Sequence, residues 1–154
     1  MAAIPDPSPE SCPDPFPDLG LDAASRFAAT LGLIFDVVRG DGVTGHLELG
    51  PHHHSAWGTV HGGVYSTVVE RAASVGASRA VADKGRFAVG VHNATDVFVT
   101  EVRGPALVEA RPVFQGELQQ LWSVEIRALP GNTLLARGQL RLQNVAGRST
   151  GHDG

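Results

Sequence analysis

The period of the apolar positions changes along this chain, and the change marks its architecture. In the second half, apolar and polar residues alternate with period two. Trp122, Val124 and Ile126 alternate with Ser123, Glu125 and Arg127; Leu134, Ala136, Gly138, Leu140 and Leu142 alternate with Leu135, Arg137, Gln139, Arg141 and Gln143. This predicts strands with one buried and one wetter face, over Val89–Val99, Ala106–Phe114, Leu118–Ala128 and Thr133–Val145, with Pro130-Gly131-Asn132 as a tight turn. Upstream, Leu33–Val38 and Val43–Leu49 read as two strands joined at Gly40-Asp41-Gly42, a hairpin signal. Between the two sets lies a long helix, from about Gly62 to Val81, ending before Gly85. Its small residues (Ala72, Ala73, Ser74, Gly76, Ala77, Ser78, Ala80) let it approach a sheet closely. A short helix from about Ala23 to Leu31, capped by Asp22, comes first, and Gly50–Gly58 is a loop. Helix, two strands, long helix, four strands predict an α+β domain in which an antiparallel sheet wraps one central helix. A parallel βαβ fold is excluded, because only one long helix lies among the strands.

Composition adds boundaries and exclusions. The 154 residues, 42% hydrophobic, suffice for one cored domain, expected over residues 21–146. Residues 1–20 hold Pro5, Pro7, Pro9, Pro13, Pro15 and Pro17, six of the ten prolines. The missing N–H groups preclude helix or sheet there, so this stretch is expected to be disordered, as a flexible tail is over 147–154. A net charge of −4, with 12 scattered Lys and Arg, argues against nucleic-acid binding. No run approaches the roughly 20 apolar residues of a membrane span, and without a basic region and an apolar run at the start no secretory signal is expected. Cys12 is the single cysteine, which suits a reducing compartment; a cytoplasmic setting is expected.

The chemistry concentrates between Thr59 and Glu70. Gly62 and Gly63 open the long helix, where the first N–H groups lack intrahelical partners and sit at the positive end of the dipole. Bare backbone there can polarise a carbonyl oxygen as an oxyanion hole does; the same pair also suits a plain loop-to-helix turn. Glu70 is the sole acidic residue between Glu48 and Asp83. Burial beside Val64, Val68 and Val69 would raise its pKa toward the range of a general base, and Ser74, one turn on, could orient it. The alternative is a solvent-facing Glu70 beside Arg71. Eight residues of helix span about 12 Å at 1.5 Å each, so Gly62 and Glu70 of one helix cannot serve one small carbonyl. If both act, two antiparallel helices across a two-fold axis must supply them, which predicts an obligate dimer. His52-His53-His54 are consecutive and rarely converge on one ion; they read as an exposed loop without a metal.

The run Gly58-Thr59-Val60-His61-Gly62-Gly63, with an acid nine residues after the histidine, resembles the hotdog-fold acyl-CoA thioesterases, of the phenylacetate-pathway and 4-hydroxybenzoyl-CoA types. Val89-Gly90-Val91-His92-Asn93-Ala94-Thr95-Asp96 and Ala136–Asn144 match further strands of those families, and the resemblance runs from about Leu31 to Val145. It implies a hotdog fold and hydrolysis of an acyl-CoA or other acyl thioester, without a cofactor, by a homodimer or a dimer of dimers. It also implies that Gly62 polarises the thioester carbonyl and Glu70 of the partner activates water or attacks directly. Ser74 stands where relatives position the nucleophile, and His61 braces the helix entry. Gly63 and Asn93 fall at substrate-binding positions, and Tyr65 and Val69, with the Gly50–Gly58 loop, would shape the acyl pocket. Three positions depart from the pattern. Ser55, preceded by His54, replaces an Asn or Gln, and either is expected to meet the substrate or hold a water. Val99 replaces an Arg. Phe114-Gln115-Gly116-Glu117 replaces a basic His-Arg-Gly turn near the CoA phosphates, leaving Arg103, Arg111 and Arg148 as substitutes. Rival readings are an acyl-carrier-protein thioesterase and a non-catalytic hotdog binding or scaffold protein.

Overall fold

A computed structural model describes residues 26–147. The expectations for residues 1–25 and 148–154 lie outside them. Ten short and long elements follow in order. Helix α1 (Arg26–Leu31) leads into β1 (Ile34–Arg39) and β2 (Gly42–Leu49). A single helical turn (Pro51–His53) and a loop precede α2 (Gly62–Val81). After a turn at Ala82–Lys84 come β3 (Arg86–Val97), β4 (Gly104–Gln115), β5 (Gln119–Ala128) and β6 (Leu134–Ala146).

The strands form one antiparallel sheet in the order β1-β2-β4-β5-β6-β3, and α2 packs against all six. This is the hotdog architecture. The period-two reading accounts for its inner face: Val108 and Ala110, Trp122, Val124 and Ile126, and Ala136, Leu140 and Leu142 are all buried under α2. The small residues of α2 are what bring helix and sheet together. A β-carbon at Gly76 would lie 2.6 Å from the Trp122 ring, and one at Gly138 would lie 2.7 Å from Val69. Ser78 fastens the far end of the helix to β3 by accepting from the Ala88 amide at 3.0 Å.

Polar groups under the C-terminal half of α2 are paired. Gln120 donates to the Ala77 carbonyl at 2.9 Å and to Asn144 Oδ1 at 2.8 Å, and its own oxygen accepts from the Trp122 indole at 3.0 Å. A buried amide that satisfies three neighbours fixes their arrangement as well as its own.

Two expectations about the elements need correction. Strand β3 starts at Arg86, three residues before the alternation suggested, because Gly85 takes φ 65 after the turn and turns the chain directly onto the sheet. The His52–His54 run is exposed only at His52. Its middle member His53 is only 3% exposed, held between the Gly50 amide (3.2 Å, to Nδ1) and the Leu31 carbonyl (2.9 Å, from Nε2). Burial lowers its pKa below the ordinary histidine value, so the neutral ring ties the end of α1 to the loop.

Candidate functional site at the start of the long helix

Helix α2 begins in a loop that its own side chains close. Ser55 N donates to the Thr59 carbonyl at 2.7 Å, and Ser55 Oγ contacts Thr59 Oγ1 at 3.2 Å and the Trp57 amide at 3.3 Å. Ser55 is therefore engaged in its own turn. His54 bridges Val60 across the loop, and its Nε2 is buried with no hydrogen-bond partner among the described residues. The chain then turns at His61, which caps α2. Its Nδ1 accepts from the Gly63 amide at 2.9 Å, and its carbonyl accepts from the Val64 amide at 2.9 Å. Of the first three helical amides, two are thus used. The Gly62 N–H alone has no acceptor among the described residues, and no atom lies within 4 Å of where a Gly62 β-carbon would stand. The oxyanion-hole argument from two glycines reduces to one amide, with Gly63 serving the cap.

Glu70 lies two turns further along the same unbroken helix. It is half-buried, on the flank of α2 that meets β3; Val68 and Val69 point instead into the sheet. Its partner is not Ser74, whose hydroxyl makes no hydrogen bond among the described residues. Side chains on a helix lean toward its N-terminus, so Glu70 reaches toward Ser66 and away from the following turn. There Asn93 of β3 donates Nδ2 to the Ser66 carbonyl at 3.0 Å and to Glu70 Oε2 at 3.4 Å. Arg71 does not pair with Glu70; it crosses to the other flank, 5.8 Å over the Phe35 ring.

Tyr65 is not at an open surface. It is fully buried, its hydroxyl donates to the Val99 carbonyl at 3.0 Å, and burial pushes its pKa up to about 12, so it remains a donor. Val69 is equally enclosed. The open space lies on the opposite side of the helix start. A groove of about 720 Å³ runs between α1 and α2, lined by Phe27, Leu31, His52, His61, Gly63, Val64 and Thr67, with no Asp, Glu, Lys or Arg in its wall among the described residues. The α1 residues of this groove had no signal in the sequence beyond apolar character. Gly90 was also missed: it sits beneath Glu70, where a β-carbon would overlap Oε1. Among the described residues no three metal-ligating side chains cluster, and no helix is long and apolar enough to cross a membrane.

An antiparallel sheet around a central helix, with a free amide at the helix start and a carboxylate on its flank, defines the class as a hotdog-fold protein. The chain belongs to the thioesterase superfamily, whose family model matches residues 57–135. It is 37% identical over 144 residues to "Putative esterase Rv1847" of Mycobacterium tuberculosis, covering 92% of this chain and 98% of that protein. The solved structure of that esterase superposes with a TM-score of 0.75 at 36% identity, over 81% of this chain and all of the other. The structure of S. sahachiroi AziG superposes with a TM-score of 0.74 at 37% identity, over 78% and 96%. The Haemophilus influenzae thioesterase HI1161, at 21% identity and a TM-score of 0.73 over 82% and 87%, shares the fold.

Proposed function

We propose that this protein is a cytoplasmic acyl-thioester hydrolase acting on acyl-CoA, with each active site built from two subunits. The observation that carries the reading is the free Gly62 amide at the head of an unbroken helix that also bears Glu70. Gly62 polarises the thioester carbonyl. Glu70 of the partner takes a proton from water as the water oxygen bonds to the carbonyl carbon; the C–S bond then breaks and the leaving sulfur takes that proton. Direct attack by the carboxylate uses the same placement. Membership of the thioesterase superfamily supports the reaction class, and likeness to proteins described as an esterase and a thioesterase supports it further. The groove beside Gly63 is offered as the seat of the acyl group; a wall with no Asp, Glu, Lys or Arg among the described residues suits an apolar acyl chain or ring.

Helix length and β3 support the dimer. Among the described residues this twelve-residue edge strand leaves one side unpaired, and it carries exposed Val89 and Val91. Pairing with a second β3 would satisfy the open edge and bring two α2 helices side by side; two such dimers could associate further.

A carrier-protein thioester is the second reading. It is favoured by exposed Phe114 and by Glu117 at positions where CoA phosphates would call for cations. Arg111 lies beside Glu109 at 4.0 Å, and so offers a partly neutralised charge.

The test is thiol release from octanoyl-CoA, benzoyl-CoA and their N-acetylcysteamine counterparts by the wild type and by Glu70→Gln. Loss of at least about 100-fold in kcat is expected on removing the carboxylate. Equal hydrolysis by both proteins would refute the mechanism. Acyl-CoA bound without turnover by the wild type would make it a binding protein.

A further inference from the structure

We infer that Asn93, oriented by Thr95, is a positioning residue that holds one oxygen of the Glu70 carboxylate so that the other faces the reacting water. The inference rests on the hydrolase reading of Glu70 and deepens it.

It begins with a fault in the alternation of β3. Ala88 and Gly90 pair with Asn144 and Leu142 of β6, whose side chains are buried beneath the helix. An unbroken strand would continue that inner face at residues 92, 94 and 96. Instead the register shifts between Gly90 and His92, and Val91 is the extra residue of a β-bulge. Beyond it Asn93 pairs with Leu140 and Thr95 with Gly138, both inward-facing positions, while His92 and Asp96 pair with the outward Arg141 and Arg137. One added residue has exchanged the two faces. It brings Asn93 and Thr95 to the helix side, next to Gly90.

The three residues then make a seat for one carboxylate. Thr95 Oγ1 donates to Asn93 Oδ1 at 2.7 Å. The amide carbonyl thus faces Thr95 and the amino group faces α2. Its two N–H bonds go to the Ser66 carbonyl at 3.0 Å and to Glu70 Oε2 at 3.4 Å. A flipped amide would set its oxygen against two other acceptors, so Ser66 and Glu70 select the productive orientation and the Thr95 hydroxyl, donating to the remaining oxygen, holds it there. Below, Gly90 supplies space and nothing else; a β-carbon there would overlap Oε1. Oε2 is bound, and Oε1 is left to accept a water. In hydrolysis Oε1 takes the water proton as the new C–O bond forms, and returns it to the sulfur when the C–S bond breaks. Asn93 touches neither carbonyl nor sulfur. Its effect is on how closely Oε1 is held, which at 1 Å of misplacement costs up to about 100-fold in rate.

The experiment measures kcat and KM for octanoyl-CoA hydrolysis, with melting temperature recorded for every variant. Asn93→Ala should lower kcat by about 10- to 100-fold and leave KM within about twofold. Thr95→Val should lower kcat in the same direction, and Thr95→Ser should restore it. Thr95→Val keeps the Asn93 side chain, so it carries the test if Asn93→Ala does not fold. The decisive arm uses Glu70→Asp, which retains a carboxylate but withdraws it by one methylene from Asn93. In that background Asn93→Ala should change kcat by less than about twofold, because the two residues act as a unit. Wild-type kcat in both Asn93→Ala and Thr95→Val, a rise in KM alone, or an equal loss in the Glu70→Asp background would overturn the inference and make Asn93 a bystander or a substrate contact. Those results together with an inactive Glu70→Gln leave the hydrolase reading standing. An active Glu70→Gln removes both.

Discussion

A single N–H can be deleted at Gly62 with little else. Proline is favoured at the first helical position, where its missing N–H has no helical partner. The preceding His61 has φ −64 and ψ 131, a conformation that proline tolerates after it, and beyond its neighbours in the chain no other described residue lies within 4 Å of the Gly62 β-carbon position. Gly62→Pro should therefore keep the wild-type melting temperature and lose about 10²- to 10³-fold in kcat, the cost of one oxyanion donor. Kinetics and a melting curve on the same sample check it; a substantial fall in melting temperature would show that the amide matters for the fold instead. His53 makes the complementary case of a polar side chain that serves stability. Its folded pKa lies below the ordinary 6.5, with burial as the main cause. Below pH 6.5 the unfolded chain takes up a proton that the folded chain resists, so the unfolded state binds more protons and stability falls as pH falls. The contribution is complete above about pH 6.5 and is lost as pH drops through the lowered folded value. Urea midpoints from pH 8 to pH 5 should decline more for the wild type than for His53→Gln, and parallel curves would assign the titration to another group.

At the scale of elements, packing against the sheet decides what α2 can carry. Gly76 is unfavourable for a helix interior by about 1 kcal/mol relative to alanine, yet the Trp122 ring and Val43 occupy the space of its β-carbon. Gly76→Ala should destabilise by about 1–3 kcal/mol despite the better helix former, since both neighbours are buried and Trp122 is pinned by Gln120. Chemical denaturation reads the sign; a gain in stability would mean that the helix lifts from the sheet at no cost. This is also where the sequence was most and least informative. Small residues from Ala72 to Ala80 and period two in β5 and β6 are properties of regular elements, and they specify α2 and its buried partners directly. The bulge in β3 is an irregularity of one residue. The polar stretch His92-Asn93-Ala94-Thr95-Asp96 offers no apolar marker of phase, so alternation cannot tell which of its residues meet Glu70. The direction in which Glu70 leans, toward Ser66 and Asn93 and away from Ser74, is fixed by helix geometry, but its partner comes from a strand 23 residues away. His53 was illegible for a related reason: its acceptor, the Leu31 carbonyl, is a backbone group 22 residues upstream.

For the whole molecule, the separation of Gly62 from Glu70 turns into a statement about who completes whose site. Eight residues of the unbroken helix α2 place them about 12 Å apart. In the proposed two-fold dimer each site takes its amide from one chain and its carboxylate from the other. Mixing two inactive variants separates this from any single-chain arrangement. In a heterodimer of Gly62→Pro with Glu70→Gln, one site receives both defects. The other receives the intact Gly62 of one chain and the intact Glu70 of its partner. Equal amounts unfolded together and refolded give heterodimers in about half of the population, each with one working site, so activity should return to about a quarter of the wild-type value. If amide and carboxylate acted within one chain, every site in the mixture would carry one defect and activity would stay at the level of the two variants alone. Recovery should also require exchange of subunits: the same variants combined as preformed dimers should gain activity only as fast as the dimers dissociate, which ties the chemistry to subunit association by a rate as well as an amplitude.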